Sequence, residues 1–204
     1  MTTEVAFTRS VKAEQERRGS RLGYARLEEK GGWPTTVTAD LAAFLAQRDT
    51  AFLATASADG RPYVQHRGGP PGFIKVLDEN TLAFADFGGN RQYITLGNLA
   101  ENPRALLFLM DFATRRRIKI WGRAEALEDR PDLTKALADP AYGAKPERAI
   151  VFHIEAWDVN CPQHIVPRFT AQEIEQVLAP LRWRISELEA ECAALKGKLR
   201  TEAP

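Results

Sequence analysis

Residues 50–67 read TAFLATASADGRPYVQHR, and this stretch decides the fold. Ala51 to Ala56 is a short run of apolar and small residues. Ser57-Ala58-Asp59-Gly60 then supplies turn chemistry, and Arg61 to His66 resumes an extended pattern. Two extended runs around a Gly-containing turn spell a β-hairpin. Phe73 to Leu77 and Thr81 to Ala85, separated by Asp78-Glu79-Asn80, spell a second. Ala105 to Asp111, Arg117 to Leu127 and Ala149 to Trp157 continue the series of extended segments. Short strands at close intervals, with few helices between them, predict an antiparallel barrel rather than parallel βαβ units. The expected fold is mainly β: a six-stranded antiparallel split barrel with flanking helices and a C-terminal helix.

Helical signals are few. Thr38 can cap a helix to Gln47, with Leu41, Phe44 and Leu45 on one face. Short helices are expected over Tyr93–Asn98 and over Pro131–Ala138, the latter with proline in its first turn. Ala13 to Arg18 can start another. Thr170 and Glu173 form a capping-box pattern. Beyond it Ile174, Val177, Leu181, Ile185, Leu188, Cys192, Leu195 and Leu199 recur every three or four residues. Pro180 predicts a break into two pieces, the second from about Leu181 to Leu199. So narrow a stripe suits either a helix lying on its own barrel or one pairing across a dimer. The organisation expected is an N-terminal extension over 1–35, a barrel domain over 36–169 and a helical extension over 170–204.

Composition excludes several classes. The 204 residues carry 28 basic and 27 acidic side chains, a net charge of +1, so no bulk field favours nucleic acid or membrane surfaces. The cysteines, Cys161 and Cys192, and the histidines, His66, His153 and His164, match no metal-ligand spacing. The opening MTTEVAFTRSVKAEQERRGS lacks the apolar core of a signal peptide, and no window approaches the ~20 apolar residues of a membrane span. A cytoplasmic protein with reduced thiols is expected.

Four segments could carry chemistry. His66 to Lys75 is a Gly/Pro loop flanked by Arg67 and Lys75; it reads as a close backbone approach or as a surface loop with two solvated cations. Phe87-Gly-Gly-Asn90-Arg91-Gln-Tyr93 stands directly before a predicted helix. Backbone N–H groups at a helix start plus a guanidinium can bind a phosphate, or Asn90 simply caps the helix. Arg115-Arg116-Arg117 enters a strand, either adding cations to a site or forming a basic patch. Cys161-Pro-Gln163-His164-Ile-Val-Pro-Arg168 is dense in functional groups, but Cys161 and His164 have no third orienting residue for nucleophilic catalysis.

Together these segments resemble the pyridoxamine 5'-phosphate oxidase-like FMN-binding split barrels, from roughly Leu41 to Arg168. The resemblance rests on order: FLATASADGRPYVQHR, GFIKVLDENTLAFAD, GNRQYITLGNLAENPRALLFLMD, then RRRIKIWGRAEALE. It implies a homodimer holding FMN by its phosphate at the subunit interface. It further implies Lys75 as a phosphate-binding lysine, Asn90 and Arg91 as the family's Ser-Arg/Lys turn, and Arg117 in place of a flavin-contacting Gln. Arg67 would join them, with Gln163 and Arg168 reaching the cofactor from the partner subunit. The authentic oxidase ends in an Arg-Leu-His-type segment, whereas this chain ends in CPQHIVPR and a helix. The resemblance therefore implies an FMN-dependent oxidoreductase of another substrate, with a small-molecule electron donor or acceptor as its partner. A non-catalytic flavin carrier or sensor and a haem- or F420-binding barrel are the alternatives. No catalytic residue is identified; His164 and Tyr93 are the candidates for proton transfer.

Overall fold

The computed structural model describes residues 2–201. The chain divides into two compact units, Met1–Asp111 with Arg115–Gln163, and Phe112–Thr114 with His164–Pro204.

The first unit opens with a 3-10 turn, Thr2–Val5, and helices α1 (Arg9–Arg17), α2 (Arg21–Glu29) and α3 (Ala39–Leu45). It continues through β1 (Thr50–Ala56), β2 (Pro62–Gly68), β3 (Lys75–Val76), β4 (Thr81–Phe87) and α4 (Ile94–Glu101). Strands β5 (Arg104–Asp111) and β6 (Arg116–Leu127), helix α5 (Pro131–Leu137) and β7 (Pro146–Asn160) complete it. The strands form one antiparallel sheet in the order β2-β1-β5-β6-β7-β4-β3. There are thus seven strands rather than the six expected. Each matches one of the seven extended segments read from the sequence, and the shortest is β3, which keeps only Lys75 and Val76 in the ladder, opposite Ala83 and Leu82. Gly72, at φ +75°, turns the chain, and Phe73 and Ile74 sink into the core instead of extending the strand.

The strand pattern predicts its own burial. Along β1, Ala51, Leu53 and Thr55 are buried while their neighbours are half-buried. Leu53 of β1, Leu107 of β5, Ile120 of β6, Phe152 of β7 and Leu82 of β4 join one apolar cluster with Leu41 and Phe44 of α3. Strands from both ends of the sheet therefore share a single core, which requires the sheet to curl on itself as a split barrel does. α5 covers the other face of β4 and β7, where Ala83, Ala85, Leu137, Ala149 and Val151 cluster.

Gly122 shows how tightly the curl is set. The β6–β7 register shifts between Trp121 and Gly122, and a Cβ on Gly122 would lie 2.0 Å from the His153 carbonyl oxygen. Thr38 caps α3 as predicted, its hydroxyl accepting from the Leu41 N–H at 3.2 Å. The N-terminal region holds one more helix than its polar sequence predicted. Glu28, at the end of α2, accepts from the buried Thr3 hydroxyl (2.8 Å), pairs with Lys12 (3.3 Å) and also with Arg21. This buried carboxylate ties three segments of weak individual propensity together. Trp33 then stacks on Trp121 of β6 at 4.8 Å, and the Trp157 indole donates to the Thr36 carbonyl (2.9 Å).

In the second unit, helix α6 runs from Ala171 to Thr201. The capping box forms: the Thr170 hydroxyl accepts from the Glu173 N–H (3.2 Å) and the Glu173 carboxylate accepts from the Thr170 N–H (2.7 Å). The expected break at Pro180 is absent, and the proline sits inside a continuous helix. The side chain of Leu199, the last member of the predicted stripe, lies outside the described residues.

Candidate functional site

The site grows from the two ends of the sheet. β2 is one edge and β4 lies next to the other, so main-chain pairing cannot join them. Side chains do. Arg67 of β2 and Arg148 of β7 both bind Asp86 of β4, Arg67 through Oδ1 and Arg148 through Oδ2 at 2.9 Å. Asp86 and Arg148 face each other in the β4–β7 register, where a bulge follows Asp86. Arg148 also donates to Glu128 (2.8 Å) and Glu147 (3.0 Å). A carboxylate spanning two guanidiniums in an apolar barrel is held by good geometry on both oxygens. Burial draws the Arg67 pKa below the ordinary guanidinium value, and Asp86 opposes it. Burial acts on Arg148 in the same sense, but its hydrogen bonds to Asp86 and Glu128 prevail and raise its pKa. Both side chains stay cationic.

Beside this clasp the chain makes a strained turn. Arg91 and Tyr93 adopt φ of 59° and 54°, a left-handed region unfavourable to side chains. Asn90 supports the turn by accepting the Gln92 N–H on its side chain (3.2 Å). Tyr93 is the N-cap of α4 yet gives no side-chain cap to the first N–H groups of the helix. α4 is itself fixed to the barrel. Asn98 donates to the Thr55 hydroxyl (3.0 Å), and the Thr95 hydroxyl donates to Gln65 (2.8 Å).

Clasp and turn line one small recess of about 50 Å³, open to solvent, whose walls include Arg67, Asp86, Asn90, Arg91, Tyr93 and Arg148. Two features suit an anion. The Nε of Arg67 is buried without a hydrogen-bond partner. Arg91 is exposed and makes no ion pair with a described residue. The Arg148 guanidinium lies 5.9 Å from the Tyr93 ring.

Of the residues predicted from sequence, Arg67, Asn90 and Arg91 are brought together here, as is Tyr93. Lys75 is not among the lining residues; it stands exposed on β3, opposite Ala83. Arg117 is not among the lining residues either; it pairs with Met110 and Asn160 at the start of β6. Its Nε is also buried without a partner, as is Oδ1 of the facing Asn160. Gln163 is exposed at the end of the first unit, and Cys161 is an exposed free thiol. Arg168 and His164 belong to the second unit, where Arg168 lies over the Phe112 ring at 4.9 Å and His164 has φ of 63°. Among the described residues, no group of three or more His, Cys, Asp or Glu is placed to hold a metal.

Sequence reasoning missed Asp86, Arg148, Gln65 and Thr95. The available signal was a charge at the end of each of two buried strands, Asp86 closing Thr81–Ala85 and Arg148 opening Ala149–Trp157. Such a charge needs a partner, and those two strands pair.

Residues 37–161, well over half of the chain, match the profile of a family described as pyridoxamine 5'-phosphate oxidase. No curated protein matches the chain. Among solved structures, HupZ of Group A Streptococcus is 17% identical with a TM-score of 0.50, the match covering 65% of this chain and 100% of that one. An FMN-binding protein from Syntrophomonas wolfei is 13% identical with a TM-score of 0.48, covering 73% of this chain and 96% of that one. A protein related to general stress protein 26 of B. subtilis, of the pyridoxinephosphate oxidase family, from Clostridium acetobutylicum, is 16% identical with a TM-score of 0.43, over 65% and 93%. The likeness to HupZ bears on the fold alone, and the family profile spans the barrel described above. On these grounds the chain belongs to the pyridoxamine 5'-phosphate oxidase family.

Proposed function

We propose that the protein binds FMN by its phosphate in the recess of Arg67, Asn90 and Arg91, as the cofactor of an oxidoreductase. The observation that carries this reading is the pairing of two unspent donors in one recess. These are the exposed Arg91 guanidinium and the buried, unpartnered Nε of Arg67. The uncapped start of α4 adds backbone N–H groups to them. Asp86 and Glu147 also line the recess, but both are engaged by Arg148, and Asp86 by Arg67 as well. Their charge is thereby neutralised, and Arg91 leaves the lining net positive. The residues fit a phosphate monoester.

Bound FMN supplies hydride and single-electron transfer, while the protein supplies binding, orientation and tuning. Arg91 and Arg67 hold the phosphate, and Asn90 keeps the turn that aims Arg91. The half-exposed Tyr93 ring offers an apolar surface in the same recess. The outer side of β1, β2 and β5 carries Phe52, Val64, Phe108 and Met110, with Val64 59% exposed. A second copy covering that face makes the homodimer of the reading, with the flavin between subunits. No described helix is long and apolar enough to cross a membrane. Free, exposed thiols suit the cytoplasm.

Titration with FMN and with riboflavin tests the phosphate reading. FMN is expected to bind at least about tenfold tighter, since a charge-assisted hydrogen bond contributes about 1.5–3 kcal/mol. Arg91→Ala should remove most of that preference. Equal affinity for the two flavins, or no binding of either, overturns the proposal.

A further inference from the structure

The second unit ends in a helix whose apolar stripe is bare. Leu181, Ile185 and Leu195 are more than half exposed, and Leu188 is 43% exposed. At the standard rise α6 is about 46 Å long. In the continuous helix the repeat is a true heptad. It is continued by Leu178, not by Val177, and Pro180 falls on the outer side. Ile174, Leu181, Leu188 and Leu195 occupy one core position, and Leu178, Ile185 and Cys192 the other. A two-position seam kept over three heptads fits the groove of one partner helix.

The flanking charges identify the partner. Glu175, Arg182, Glu189 and Lys196 follow one core position, while Arg184 and Glu191 precede the other. We infer that α6 pairs antiparallel with α6 of a second copy of this chain, centred between Ser186 and Glu187. In that register Ile185 packs on Leu188 of the second copy, and Cys192 packs on Leu181. Flanking residues of the same kind then meet across the seam. Glu175 faces Lys196, Arg182 faces Glu189 and Arg184 faces Glu191, so all six charges meet an opposite sign and no like pair arises. A parallel, in-register pair matches fewer: Arg184 meets Glu189 and Glu191 meets Lys196, but Arg182 meets Val177 and Glu175 meets Thr170. The arrangement is isologous and closes as a dimer. Arg182 now binds Glu175 (2.8 Å) and Arg184 binds Glu187 (3.0 Å) within the helix. Both are exposed pairs that contribute little and yield readily to a second partner. This inference does not rest on FMN binding.

Charge reversal in the full-length protein tests it, read by sedimentation over a dilution series. Arg184→Glu places two glutamates together and should shift dissociation to higher concentration. The double variant Arg184→Glu, Glu191→Arg restores opposite signs and should recover the wild-type curve. A double variant weaker than the single one overturns the antiparallel register, because a parallel pair would then hold two like-charge contacts. Association indifferent to both variants removes α6 from the interface. Thiol cross-linking gives a second readout. With Cys161→Ser, Cys192 alone should give no covalent dimer with dibromobimane, which bridges only near-touching thiols. Adding Leu181→Cys should give a dimer linked between residues 181 and 192. A dimer linked through Cys192 alone, or none after Leu181→Cys, refutes the proposal.

Discussion

The barrel and the C-terminal helix bury their apolar residues by opposite means. In the barrel, every alternate residue of β1 and β5 meets the same chain, and Leu53, Leu107 and Leu109 are wholly enclosed. Along α6 an equally regular pattern leaves leucines and isoleucines in solvent. Periodicity alone is thus the same statement in both regions: one face is apolar. What differs is where the complement comes from. The sheet supplies its own by curling, whereas a single straight helix has only one side and takes its complement from elsewhere.

Substitutions across the two regions sharpen that contrast. The largest effect is expected in the barrel. Leu107→Ala should cost about 2–5 kcal/mol in denaturant melts, as buried leucine truncations do. A cost under 1 kcal/mol would mean the core is looser than its burial implies. Gly122→Ala comes next. Its new methyl meets the His153 backbone and the buried Phe152 ring, for a loss of about 1–3 kcal/mol. Smaller is the acid response of the N-terminal region. The Thr3 hydroxyl, helped by Arg21 and Lys12 and against burial, holds Glu28 down to about 2 from an ordinary 4.5. A depressed acid stabilises fully above its unfolded value and loses that contribution as pH falls through the folded one. Hydrogen-exchange protection in α1 and α2, taken relative to the intrinsic rate, should therefore fall between about pH 4.5 and 2 before the sheet responds, and Glu28→Gln should abolish the step. Least affected is the monomer carrying Leu188→Ala, within about 0.5 kcal/mol at high dilution. A growing loss at higher concentration would betray the paired helix.

The fold was largely legible. The hairpin at 50–67, the capped α3, the helix before Asn102-Pro103 and the capping box at Thr170 each follow from a local rule that the structure obeys. The misses are non-local. α2 contains Gly23 and little periodicity, and the buried Glu28 that binds it to Thr3 and Lys12 is invisible to pattern. β3 shrank because Phe73 and Ile74 satisfy the core better than the ladder. Pro180 does not break α6, because one lost hydrogen bond on the outer side leaves the heptad intact. At the site, the Asn90-Arg91 turn was readable because it is contiguous. Arg67 was readable as a flank of its Gly/Pro loop, whereas Asp86 and Arg148 showed only as a charge closing one buried strand and opening another; they become neighbours through the β4–β7 register.

That register also fixes an order of assembly. β1–β2 and β5–β6 are hairpins that can close as soon as they are made. β4 has no such neighbour except the two residues of β3, and its main partner is β7, with Thr81 and His153 meeting across 72 residues. Pairings of such long range form late. Asp86 reaches Arg148 only when β7 has docked, so a ribosome-bound chain ending before residue 146 has half a clasp and no finished recess. On the proposed reading, anion capture there would report that β7 has been made and docked, and occupancy of the recess should draw that last strand into place.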